Sequence, residues 1–163
     1  MMMKTLSSAL IQPQFQKARF ASSARNHYSG QVVFVVTEGE LVRTWLLLPS
    51  GHVLQALLTR SSAEGMGLKV GGVVSALFKA ASVELLLDAQ LELEVSNQWW
   101  GEVTHIAAGE ARDEVTLMVA PGLEITALVN AGFCRQQRLH KGDAACAVFS
   151  ASSVILLTLV WED

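Results

Sequence analysis

The chain has 163 residues, 51% of them hydrophobic and 17% charged, with 12 Lys and Arg against 15 Asp and Glu. That composition describes a folded protein rich in buried strands and excludes a disordered one. No apolar run approaches the ~18 residues that a membrane helix needs. The net charge of −3 is uneven, because residues 1–30 carry Lys4, Lys17, Arg19 and Arg25 and no acid, so an acidic body holds the other 8 cations. Such a body argues against a broad nucleic-acid surface, which needs clustered Lys and Arg.

Residues 1–22 form a basic head that lacks the apolar centre of a secretory signal and contains Pro13, which interrupts a helix. They read as a poorly ordered lead-in. Gln31–Val36 is a β-branched run that reads as a strand, closed by a turn at Thr37-Glu38-Gly39. Leu41–Leu48 is a second strand, with Arg43 and Trp45 on one face and Thr44 and Leu46 on the other. Pro49-Ser50-Gly51 turns the chain into a third strand, His52–Thr59. Ser61-Ser62-Ala63-Glu64 has the S-x-x-E spacing of a capping box and predicts a short helix. Gly71-Gly72 leads to a strand at Val73–Lys79, and Ser82–Leu87 is the last strand of the unit. The order then recurs: Glu102–Ala107, Val115–Val119, a turn at Pro121-Gly122, Glu124–Val129, a short segment to Leu139, a turn at Lys141-Gly142-Asp143, and strands at Ala144–Phe149 and Val154–Val160. Between the units, Leu91–Glu94 alternates and reads as a further strand.

The recurrence is gap-free at a spacing of 71 residues. Asn26 aligns with Asn97, Gly30 with Gly101, Gly51 with Gly122, Gly71 with Gly142 and Phe78 with Phe149. Shared glycines and apolar positions report a shared fold. The cations are not shared: Arg25 and Lys79 face Ser96 and Ser150. Five short strands and one short helix per ~70 residues suggest a small Greek-key barrel. The expected architecture is all-β, with two tandem OB-type five-stranded barrels over residues 23–88 and 89–163. One large sandwich would not explain a gap-free repeat.

At Ser23-Ala24-Arg25-Asn26, with Gly30 four residues on, the sequence resembles the molbindins, the molybdate-binding barrels also called Mop or TOBE domains. Leu58-Thr59-Arg60-Ser61-Ser62, Leu68-Lys69-Val70-Gly71, Phe78-Lys79-Ala80 and Val83 follow in the family's order, so the resemblance covers residues 22–160. The second half lacks both cations, and this asymmetry is similar to the effector domain of the molybdate-responsive transcription regulator. The regulator's winged helix-turn-helix has no room in the first 22 residues, so no direct nucleic-acid binding is expected. The resemblance implies molybdate or tungstate as ligand and no other cofactor. It also implies a homodimer with each anion held between chains, Thr59 being contributed across the interface.

Molybdate is a tetrahedral dianion that only accepts hydrogen bonds near neutral pH, so its site needs cations and fixed donors and excludes carboxylates. The first repeat carries that set. Arg25 offers a planar fork and Lys79 a compact charge. Ser23, Thr59 and Ser82 offer hydroxyls, and Ser62 lies in the first turn of the helix, where backbone N–H groups face outward. The backbone at Ala24 and Ala80 permits close approach. Taken singly, Arg25 and Lys79 suit surface ion pairing or snorkelling, and the serines suit turn caps. Their co-occurrence is what points to an anion.

Other chemistries find little support. His27, His52, His105 and His140 have no metal-like spacing to each other or to Cys134 and Cys146. The cysteines read as reduced, buried small hydrophobes, which suits a cytoplasmic protein. Glu64–Gly71 is glycine-rich without the GK[ST] of a phosphate loop. No Ser/His/Asp grouping stands out, so no enzyme is expected. Trp99 and Trp100 suit a barrel–barrel interface or a base-stacking surface.

Overall fold

The computed structural model describes residues 22–89 and 94–158. The head to residue 21, most of the strand expected at Leu91–Glu94 and the tail from residue 159 lie outside the described residues. The first repeat contains β1 (Asn26–Glu38), β2 (Leu41–Leu47), β3 (Val53–Thr59), helix α1 (Arg60–Met66), β4 (Val73–Phe78) and β5 (Glu84–Leu86). The second contains β6 (Asn97–Ala107), β7 (Arg112–Ala120), β8 (Leu123–Asn130), helix α2 (Phe133–Gln136), β9 (Ala144–Phe149) and β10 (Ile155–Leu157). A single 3-10 turn, Ala80–Ser82 or Ala151–Ser153, precedes the last strand of each repeat.

Alternation explains the strands. In β2, Val42, Thr44 and Leu46 are buried, while Arg43 and Trp45 face outward as the period of two requires. The register repeats with the sequence: Gln31 opposes Leu47 in one half and Glu102 opposes Met118 in the other. Even the irregularities coincide, between Val32 and Phe34 and between Val103 and His105.

β1 and β6 begin earlier than their β-branched runs suggest, at Asn26 and Asn97. Each is one long strand that pairs first with β4 or β9 and then with β2 or β7. The hand-over happens at Gly30 and Gly101. A Cβ at Gly30 would lie 3.0 Å from the Leu47 carbonyl oxygen, and one at Gly101 would lie 2.7 Å from that of Met118. Only glycine lets the neighbouring backbone come so close.

The two sheets are antiparallel and five-stranded, in the orders β10-β4-β1-β2-β3 and β5-β9-β6-β7-β8. The repeats therefore exchange their last strands. Ile155 pairs with Leu77, and Glu84 with Val148. A single hydrophobic core runs through both halves. At its centre Phe78 stacks on Phe149 with ring centroids 4.3 Å apart and planes at 14°. Tyr28 and Trp99, themselves related by the repeat, flank this pair.

The helix start differs from the expected capping box. Thr59 is the cap of α1, its Oγ1 accepting the Ser62 N–H at 3.2 Å. Glu64 instead pairs with Arg60 one turn away at 3.3 Å. Two residues of shift follow because Thr59, the last residue of β3, already has the extended backbone that a cap needs.

Candidate functional site

The sequence-derived site residues fall into three groups. Ser23, Ala24 and Arg25 precede β1, and Lys79 follows β4. Asn26 opposes Phe78, so continuing this antiparallel register by one place sets Arg25 opposite Lys79. Neighbours across such a ladder have Cα atoms about 5 Å apart. A recess of about 300 Å³ gathers Ser22, Ser23, Ala24, Lys79 and Ser82 with Ser153 and Ile155 of the second repeat. No carboxylate lines it. Lys79 is extended and leads into the 3-10 turn, whose Ser82 N–H donates back to the Lys79 carbonyl at 3.0 Å. Ala80 is buried beneath that turn. The Ala24 N–H, expected to face a ligand, donates to Ser22 Oγ at 3.0 Å.

The Arg25 guanidinium turns away from this recess. It donates to both carboxylate oxygens of Glu114 on β7, at 2.8 and 3.1 Å. The Arg25 side chain is 56% exposed and that of Glu114 27%. Arg25 also borders a neighbouring recess of about 450 Å³ with His27, Glu124 and Thr126. The ladder thus ends one residue short of both cations, and the Arg25 side chain is held by an acid.

Thr59 and Ser62 form the third group. Thr59 Oγ1 donates to Ser62 Oγ at 2.8 Å and lies 3.4 Å from Ser61 Oγ. Thr59 opposes Leu41, which opposes Glu38 at the far end of β1. Arg25 stands just beyond the other end of this 13-residue strand. Neither Thr59 nor Ser62 lines the recess that holds Lys79.

Asn26 and Asn97 are site-shaping residues whose role the sequence alone did not reveal. Both side chains are buried. Asn26 accepts the Thr126 N–H at 2.8 Å through Oδ1 and donates to the Thr126 carbonyl at 2.9 Å. Asn97 does the same to Gln55, at 2.8 and 3.0 Å. Each amide imitates a peptide on the edge strand of the other repeat, β8 or β3. This fixes where Arg25 and Ser96 emerge. The available signal was a polar residue repeated at the same place ahead of an apolar strand. Tyr28 adds a bond from its hydroxyl to the Glu124 carbonyl, and burial pushes its phenol well above the ordinary value, with the Glu124 charge adding to it.

The corresponding corner of the second repeat is chemically different. Ser96 and Ser150 replace the cations, and Ser150 Oγ caps its own 3-10 turn by accepting the Ser152 N–H at 3.2 Å. Glu94 takes the place of Ser23. Asp113 is buried in this repeat and accepts the Cys134 N–H at 3.3 Å. Burial pushes its carboxyl up, but backbone N–H groups of Cys134, Gly132 and Gly109 outweigh this and hold it below the ordinary value.

Both cysteines are unpaired and buried, and burial pushes both thiols up. No group of three His, Cys, Asp or Glu side chains that could hold a metal occurs among the described residues. Trp99 is buried in the interface between the repeats rather than on a surface. Trp100 is 40% exposed. No helix among the described residues is long and apolar enough to cross a membrane.

Comparison with known proteins agrees with this architecture. The molybdenum transport protein ModE of Azotobacter vinelandii is 39% identical over 135 residues, covering 83% of this chain and 50% of that protein. The molybdenum-pterin-binding protein MopB of Rhodobacter capsulatus is 33% identical over 137 residues, covering 83% and 50%. The chain spans about half the length of the curated relatives it matches. A crystal structure of the cytoplasmic molybdate-binding protein ModG with molybdate bound superposes with a TM-score of 0.81 at 35% identity, covering 84% of this chain and 98% of that one. The TOBE domain description matches residues 22–85 and again 93–156, the same 71-residue step. The chain therefore belongs to the TOBE domain family and carries two such domains in tandem.

Proposed function

We propose that this chain binds molybdate, and tungstate alongside it, at the basic corner of its first repeat, and that it works as a binding protein rather than an enzyme. One observation supports the reading: Arg25 and Lys79 each stand one residue beyond the last pair of the β1–β4 ladder, and Lys79 lines a carboxylate-free recess with Ser23, Ala24 and Ser82. Two cations balance a dianion, and the hydroxyls meet its remaining oxygens. Hydrogen bonds to a charged group contribute about 1.5–3 kcal/mol each. Five or six of them, less the cost of association, reach sub-micromolar affinity.

The complete site needs a second copy of the chain. Thr59 and Ser62 belong to the site through a partner, since they stand at the opposite end of β1 from Arg25. The outer face of β1–β3 suits such a contact. Phe34, Leu41, Trp45 and Val53 lie there, Phe34 being 56% exposed. The same positions in the second repeat are His105, Arg112, Thr116 and Glu124. A homodimer through the apolar face explains why only one repeat keeps it.

Calorimetric titration with molybdate, tungstate, sulfate and phosphate tests the reading. Tight binding of the first two and weak binding of the last two supports it; no heat with molybdate ends it. The cellular role is molybdenum homeostasis or sensing in the cytoplasm. A second reading, the regulatory module of a molybdate-dependent transcription regulator, is favoured by the loss of both cations from the second repeat. It predicts a partner domain that binds DNA, testable by mobility shift with and without molybdate.

A further inference from the structure

The bidentate contact between Arg25 and Glu114 has a bearing on how the site fills. A tetrahedral oxyanion presents two oxygens to a guanidinium fork in the same way as a carboxylate. Glu114 therefore occupies the positions that such a ligand needs at Arg25. We propose that Glu114 is the intramolecular competitor of the oxyanion, exchanged for ligand oxygens on binding, and that it sets the concentration at which the site fills. The inference rests on the anion site proposed above and names the residue that controls its affinity.

Three features support this beyond the two distances. First, Glu114 stands on β7 of the second repeat, whose counterpart in the first repeat is Arg43. Arg43 pairs with Glu38 of its own hairpin at 3.3 Å. The charges thus change together: where the corner offers Arg25 the β7 position is acidic, and where it offers Ser96 the equivalent β2 position is basic. Second, the recess around Lys79 has no acidic lining, so Glu114 acts on Arg25 alone. Third, both partners are solvent-accessible, which makes the pair weak enough to give way.

The cost of displacing Glu114 is the same for every oxyanion that takes Arg25. The competitor therefore raises all dissociation constants by one factor and leaves the order of preference unchanged. This separates it from a residue that selects ligands by size. It also separates it from a strut holding Arg25 in place, whose loss would weaken binding.

The test is calorimetry of the full chain with molybdate and with sulfate, using wild type, Glu114→Gln, Arg25→Ala and the double variant, with thermal melts to verify folding. Glu114→Gln, nearly isosteric, is expected to lower the molybdate dissociation constant about three- to tenfold, in line with an exposed but bidentate pair, and the sulfate constant by the same factor. In the Arg25→Ala background it should change nothing. Binding that is unchanged or weaker in Glu114→Gln, with wild type binding normally, overturns the competitor and leaves the site standing. No molybdate binding by either protein overturns both.

Discussion

Replacing Asn26 by Ala should destabilise the protein more than any other polar substitution at the corner. The change removes two buried hydrogen bonds and leaves the Thr126 N–H and carbonyl, which are shielded from water, without partners. An unsatisfied buried group costs about 1–3 kcal/mol, so the expected loss is about 3–4 kcal/mol. For a chain of this size that lowers the melting temperature by roughly 10 °C. Asn97→Ala breaks the matching clasp on Gln55, which is only half-buried. Water can then repair part of the damage, and about 2 kcal/mol is expected. Urea unfolding monitored by tryptophan fluorescence gives both numbers. Asn26→Asp separates hydrogen bonding from volume. Its carboxylate still accepts the Thr126 N–H but faces the Thr126 carbonyl with no hydrogen to offer. It should be as damaging as Ala at neutral pH and recover partly as acid restores the proton. If Asn26→Ala costs under 1 kcal/mol, or less than Asn97→Ala, the clasps do not hold the repeats in register.

Other expectations follow from the site and the core. Arg25→Ala or Lys79→Ala should weaken molybdate binding at least a hundredfold in calorimetry, while Ser96→Ala and Ser150→Ala leave it within twofold; equal effects at both corners would refute the one-sided site. Phe34→Asp should convert a dimer to a monomer in light scattering without lowering the melting temperature of the monomer, and should weaken molybdate binding with it. Asp113 has a folded pKa below its unfolded one, so its stabilisation is complete above the ordinary aspartate range near pH 4 and disappears as the pH falls through the lower folded value. Asp113→Asn should accordingly flatten the acid end of the stability profile measured by denaturant unfolding; an unchanged acid slope would count against the backbone N–H cradle. Phe78→Ala, which unstacks the central ring pair, should cost about 3–5 kcal/mol, read by the same unfolding experiment.

Much of this architecture is written in local pattern. Turns at Gly51, Gly71, Gly122 and Gly142 have positive φ where the glycines stand, and the alternation in β2 separated the two faces, of which the structure buries the one with Thr44 and Leu46. What the pattern did not carry is long-range partnership. Nothing in Glu84–Leu86 says that it pairs with Cys146–Val148 rather than with its own repeat, because a short apolar strand fits either edge. The early starts of β1 and β6 were hidden for a related reason: Asn26, Ser29 and Gly30 lack β propensity, and the pairing with β4 overrides it. At the corner, the motif located the backbone of Arg25 and Lys79, but not the Glu114 carboxylate that meets Arg25 from 89 residues away. A repeat compared only with itself reports what the copies share. Here the informative residues are those that each copy offers to the other.

The traded β5 and β10 make the two halves interlocked rather than merely adjacent. Severing the peptide within residues 89–94 should leave the pieces clasped, since each carries a strand that the other requires for a finished sheet. Either half expressed alone would expose a bare β4 or β9 edge and would find relief only by swapping tails with a twin. Covalent linkage of the halves thus turns what would be a concentration-dependent encounter into a folding step within one polypeptide, and frees the second copy of the motif to lose its charges.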